Sequence, residues 1–141
     1  MAYSGENRGE LEEVLGHFEK GSDEYNAATF LIENMPGHKC MTGNYEQFYD
    51  EIREYLACGY GLYVTDSLTE LSKKYETSIK YEYVAKVISA KYLIKNIEDA
   101  VAQWRDGNWA KHLNFDEFCE WLLPYTCSLT QPLTEWRTLL T

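Results

Sequence analysis

Two apolar stripes separated by a glycine and a serine do most to limit the folds open to this chain. Leu11, Val14, Leu15 and Phe18 recur at i, i+3, i+4 and i+7, the spacing of one helix face, and Ala28, Leu31, Ile32 and Met35 repeat it. Gly21 is placed to end the first helix and Ser22 to cap the second, while Pro36-Gly37 stops the second run. A link this short predicts an antiparallel helix pair, in which each stripe is covered by its neighbour or by a further helix. With 141 residues the chain has the size of one domain and can bury a core without disulfide or metal staples.

The rest of the chain continues in the same period. Pro36 to Asn44 reads as a loop, and Tyr45, Phe48, Tyr49, Ile52, Tyr55 and Leu56 then predict a third helix that breaks at Cys58 to Gly61. Asp66 or Ser67 is expected to cap a shorter helix bearing Leu68, Leu71 and Tyr75. Residues 79–88 carry both signals: Ile79, Tyr81 and Tyr83 alternate, whereas Val84, Val87 and Ile88 fit a helix, and the segment is assigned as helix. From Ser89 the pattern is clean, with Leu93, Ile97, Val101 and Trp104 on one face until Asp106-Gly107-Asn108. Asn114 with Glu117 forms a capping-box pair opening Phe115 to Leu122, Pro124 closes that helix, and Thr134 to Leu140 forms a last short one. The predicted fold is therefore all-α, an irregular bundle of about six to seven helices. Residues 1–10 are expected to be a flexible segment and 11–141 a single helical domain.

Charge and motif content narrow the function by exclusion. A net charge of −10 with pI about 4.7 argues against a general binder of nucleic acid or anionic membrane. No run of apolar residues approaches a membrane span, and the polar start lacks the apolar region of a secretory signal. The acidity is uneven. Residues 1–50 carry ten Asp/Glu against Arg8, Lys20 and Lys39, whereas 73–95 carries six lysines against Glu76 and Glu82. Such a basic run reads first as a solvated helix face, and otherwise as a docking surface for an acidic partner.

Cys40, Cys58, Cys119 and Cys127 are too sparse for a disulfide scaffold, and none forms a C-x-x-C pair. His38-Lys39-Cys40 lacks a second ligand pair, so no metal is called for. The adjacent acids Glu12-Glu13, Glu98-Asp99 and Asp116-Glu117 read as helix surface, and Gly59-Tyr60-Gly61 is no phosphate loop, so no cofactor is called for either. A small cysteine enzyme would pair Cys40 with His38 or His112. All four tryptophans fall between residues 104 and 136. Trp104, Trp109, Trp121, Tyr125, Trp136 and Arg137 are the candidate interaction surface, with Trp104 and Trp136 alternatively serving as core anchors.

Several C-terminal segments together carry a resemblance: Tyr92-Leu93-Ile94, Asn96-Ile97-Glu98, Trp109 to Leu113, Phe115 to Glu120, Leu123-Pro124-Tyr125, Pro132-Leu133 and Trp136-Arg137. With Phe30 to Pro36, they resemble the helical N-terminal region of bacterial transglutaminase-like proteins, over roughly Leu11 to Arg137. Where that family tends to have arginine after Leu-Pro-Tyr and glutamate before Pro-Leu, this chain has Thr126 and Gln131. The resemblance implies a domain without catalytic residues that supports the catalytic core or helps select a protein or peptide substrate. It also implies that the Cys-His-Asp catalytic domain follows residue 141 in the same polypeptide and that the parent is exported. Cys119 corresponds to the cysteine of the upstream motif and not to the nucleophile. A free-standing helical module for a protein, peptide or glycan is the alternative.

Overall fold

The computed structural model describes residues 2–57, 64–128 and 130–137. In chain order the elements are α1 (Arg8–His17), α2 (Asp23–Asn34), β1 (Lys39–Gly43), α3 (Tyr45–Ala57), α4 (Val64–Tyr75), β2 (Ile79–Tyr83), α5 (Val84–Val87), α6 (Ala90–Asp106) and α7 (Phe115–Trp121), with 3-10 turns at Ala2–Asn7 and Ala110–His112. The fold is mainly helical, with one two-stranded sheet. The chain divides into two compact units, Met1–Cys40 with Tyr83–Thr141, and Met41–Glu82, where the sequence predicts one.

In the larger unit the apolar stripes do what their spacing requires. Leu11 and Val14 of α1, and Ala28, Leu31, Ile32 and Met35 in and just after α2, are buried, and α6 packs against both helices. The buried face of α6 is Leu93, Ile97, Ala100 and Val101, the four-and-three rhythm of an amphipathic helix. Serine caps start α2 and α6: Tyr25 N–H donates to Ser22 Oγ at 3.1 Å and Tyr92 N–H to Ser89 Oγ at 3.2 Å. The capping box of α7 is complete, Glu117 N–H donating to Asn114 Oδ1 at 3.0 Å and Asn114 N–H to Glu117 Oε2 at 2.9 Å. Gly21, at φ 88°, supplies the left-handed turn between α1 and α2.

Three expectations are corrected. Residues 2–10 are folded, not a flexible lead: Tyr3 OH donates to the Ile32 carbonyl, and Asn7 Nδ2 donates to the carbonyls of Ala85 and Ile88 at 3.1 and 2.9 Å. Glu10 also accepts the Ala90 N–H at 2.6 Å, so this polar start is held by backbone groups that composition cannot reveal. The Pro36–Asn44 loop contains β1, and 79–83 is strand β2 with only 84–87 helical. Val84 N–H donates to His38 O and Asn44 N–H to Ser78 O; the residue numbers of both pairs have the same sum, so the strands run antiparallel. Alternating Ile79, Tyr81 and Tyr83 are the residue types a strand favours, and pairing with β1 decides the ambiguous segment. Of the last helix expected over Thr134–Leu140, Trp136 and Arg137 are helical and Thr134 and Glu135 are not, while 138–140 and the expected Cys58–Gly61 break lie outside the described residues.

The smaller unit is built differently. Helices α3 and α4 pack together, yet among its described residues Tyr75 alone is fully buried, at 5% exposure. Its hydroxyl donates to Glu51 Oε1 at 2.5 Å, and Lys74 Nζ donates to both oxygens of the same carboxylate at 2.6 and 2.8 Å. Gly43 ends β1 at φ 82°, where a Cβ would lie 2.2 Å from the Ser78 carbonyl oxygen. No helix among the described residues is long and apolar enough to cross a membrane.

Candidate functional site

The irregular segment that follows α7 organises the C-terminal region. Helix α7 ends at Trp121 and Pro124 cannot extend it, so the carbonyls of residues 122–125 lie in irregular backbone and need partners from elsewhere. Arg137 supplies two of them. Its side chain is 5% exposed. Nη2 donates to the carbonyls of Leu122 and Pro124, the latter at 2.9 Å, and Nε donates to Asn96 Oδ1 at 2.9 Å. Asn96 Nδ2 in turn donates to Leu123 O at 2.9 Å. The Tyr125 carbonyl accepts from Trp136 Nε1 at 2.9 Å and from Tyr92 OH at 2.7 Å. Burial pushes the Tyr92 phenol up to about 12 and pushes the Arg137 guanidinium below its ordinary value, with nearby Asp99 acting in the opposite sense.

The six residues of the predicted interaction surface separate into distinct settings. Trp104 lies against the core: its ring stacks on Phe118 with centroids 4.3 Å apart, and its Nε1 donates to Leu113 O at 3.0 Å. Trp109, Trp136 and Arg137 come together around a cavity of about 520 Å³ that also meets Gln103, Asp106 and Leu122. Trp136 carries the Arg137 guanidinium over its ring, 4.5 Å from the centroid. Trp121 is exposed and does not line that cavity. Tyr125 is buried and belongs to a second one. Arg137 is therefore a buried organiser of this region and not the exposed contact residue a surface would present.

The second cavity, of about 540 Å³, is where the two sequence-distant signatures meet. Phe30, Leu31 and Asn34 of α2 face Cys119 of α7 and the Pro124–Ser128 segment, and His38, Lys39, Val84 and Thr130 complete the wall. The Tyr125 hydroxyl is hydrogen-bonded to His38 Nδ1 at 3.0 Å. Burial raises the Tyr125 phenol above its ordinary value, so it remains protonated at neutral pH. A parallel bridge joins Cys40 to Thr130, the latter in the left-handed region at φ 62°.

This geometry bears on the cysteine readings. The Cys119 thiol is pushed up to about 11, chiefly by burial and further by Asp116, opposite to the depression that makes a nucleophile. Cys40 is buried, and His38 Nδ1 faces Tyr125. His112 is exposed in the 3-10 turn. Among the described residues no three His, Cys, Asp or Glu side chains are arranged to hold a metal ion. Lys39, Val84 and Thr130 went unnoticed in the sequence because only the pairing of β1 with β2 and with Thr130 brings them to the cavity.

Comparison with protein-family models, curated proteins and solved structures found no match to this chain.

Proposed function

We propose that this chain is the non-catalytic N-terminal helical domain of a bacterial transglutaminase-like protein, acting to support the catalytic core or to help select its protein or peptide substrate. The observation that carries the reading is the use made of the signature residues. Asn96, Leu122 to Tyr125, Trp136 and Arg137 form one hydrogen-bonded knot, so the motif is spent on holding the segment after α7 in place. The motif cysteine, Cys119, sits in the core with a raised thiol, in keeping with a structural role. In this reading the catalytic domain follows residue 141 and the parent is exported. Determining the coding sequence beyond Thr141 tests it. An in-frame domain with a Cys-His-Asp triad is the expected result, and a stop codon at that point overturns the proposal.

The cavity between Trp109 and Trp136 favours a second reading, a free-standing module that binds a protein, peptide or glycan. Amide chemical-shift mapping with peptide and oligosaccharide panels separates the two, because this reading requires saturable shifts around residues 102–110 and 136–137.

A further inference from the structure

The cavity beside His38 departs from the acidic balance of the chain as a whole. The chain carries −10 overall, yet among the described residues no Asp or Glu lines this cavity, whose wall includes Lys39 and His38. Its body is apolar, formed by Phe30, Leu31, Val84 and Pro124. Lys39 is an exposed residue of the cavity wall; its Nζ lies 5.1 Å from the centre of the Tyr83 ring, outside the wall, and Lys86 Nζ lies 5.7 Å from the same ring. Two ammonium groups thus share one aromatic ring, next to Val84 in the wall. The bond from Tyr125 to Nδ1 fixes the His38 ring. At about 540 Å³ the space falls within the roughly 300–1,000 Å³ typical of small-molecule sites.

We propose that this cavity binds a small apolar carboxylate, with the hydrocarbon body against Phe30, Leu31, Val84 and Pro124 and the carboxylate at Lys39 and His38. Burial of the chain supplies the affinity, and the lysine selects the anion over a neutral or cationic head. A carboxylate repelled by the chain's acidic surface meets here a wall with no acid among its described residues. The inference does not depend on the transglutaminase-like reading, since it concerns only what the cavity itself recognises.

Titration of the full chain with sodium octanoate, followed by backbone amide shifts, tests the proposal, with octanol and octylamine as probes of matched length. The expected result is saturable shifts at His38, Lys39 and Thr126–Ser128, with octanol weaker than octanoate by about fivefold, the worth of one partly screened ion pair. Lys39→Gln should weaken octanoate by about the same factor while leaving octanol binding unchanged, which also shows that the variant is folded. Lys91→Gln, which alters a lysine outside the cavity wall, should change neither. Equal affinity for octanoate, octanol and octylamine overturns the proposal, as do shifts centred elsewhere, no saturable shift up to the solubility limit, or a Lys39→Gln effect matched by Lys91→Gln.

Discussion

The two units of this chain reach stability by different means. The larger one has a continuous apolar interior in which Leu11, Val14, Leu93, Ile97, Phe118 and Leu123 show no exposure at all. The smaller one, from Met41 to Glu82, has strongly amphipathic helices but, among its described residues, encloses only Tyr75. That ring packs edge-on against Phe48, with 5.6 Å between centroids, and its hydroxyl is tied to Glu51. One unit is stabilised by area removed from water, the other by half-covered rings and a charged hydrogen-bonded trio. Large side-chain truncations should therefore be felt most in the first, and pH in the second.

Four experiments can break or sharpen that contrast. Phe118→Ala removes a fully buried ring stacked on Trp104 and is expected to cost about 3–5 kcal/mol in urea denaturation. A cost below about 1 kcal/mol would mean that the larger unit is not held by its core. Arg137→Met should cost about 2–4 kcal/mol, because carbonyls of residues 122 and 124 lose their donor inside the protein. Faster hydrogen exchange at amides 92–97 is the local signature to look for. Asn114→Ala, which removes the cap of α7, should cost about 1 kcal/mol, with Asn114→Asp restoring most of it.

The smallest effect is expected at Glu51, and it depends on pH. The Lys74 ammonium, followed by the Tyr75 hydroxyl, holds the Glu51 carboxyl below its ordinary value. Its contribution is therefore fully present above the pH at which an unfolded glutamate titrates, and is lost as the pH falls through the lower, folded-state value. Wild type and Glu51→Gln should differ at neutral pH and converge in acid when thermal unfolding is followed by signals from residues 45–57 and 64–82. A difference that persists unchanged into strong acid would remove the carboxylate from the account.

What was legible in the sequence was what repeats or caps. The stripes of α1, α2 and α6 and the caps at Ser22 and Asn114 follow from local spacing and local hydrogen bonds. The strands were hidden because five residues are too few for alternation to outweigh an adjoining helical pattern, and a strand becomes one only through its partner. The fold of residues 2–10 was hidden for a related reason: its acceptors are carbonyls of Ile32, Ala85 and Ile88, far away in sequence. At the candidate site, Trp109, Tyr125, Trp136 and Arg137 stood out by residue type. Burial then reversed the meaning of Arg137, and the two cavities divided residues that a 33-residue window had grouped.

Gly43 shows how solvent exposure and freedom to vary can part company. It lies on the surface, yet any side chain there would have to occupy the space of the Ser78 carbonyl while holding a backbone geometry that L-residues resist. A saturation-mutagenesis map of this chain should therefore show an intolerant surface position at residue 43, as unforgiving as the interior of α6. Anyone choosing sites for labels, affinity tags or surface redesign by accessibility alone would choose it, and would lose the pairing of β1 with β2.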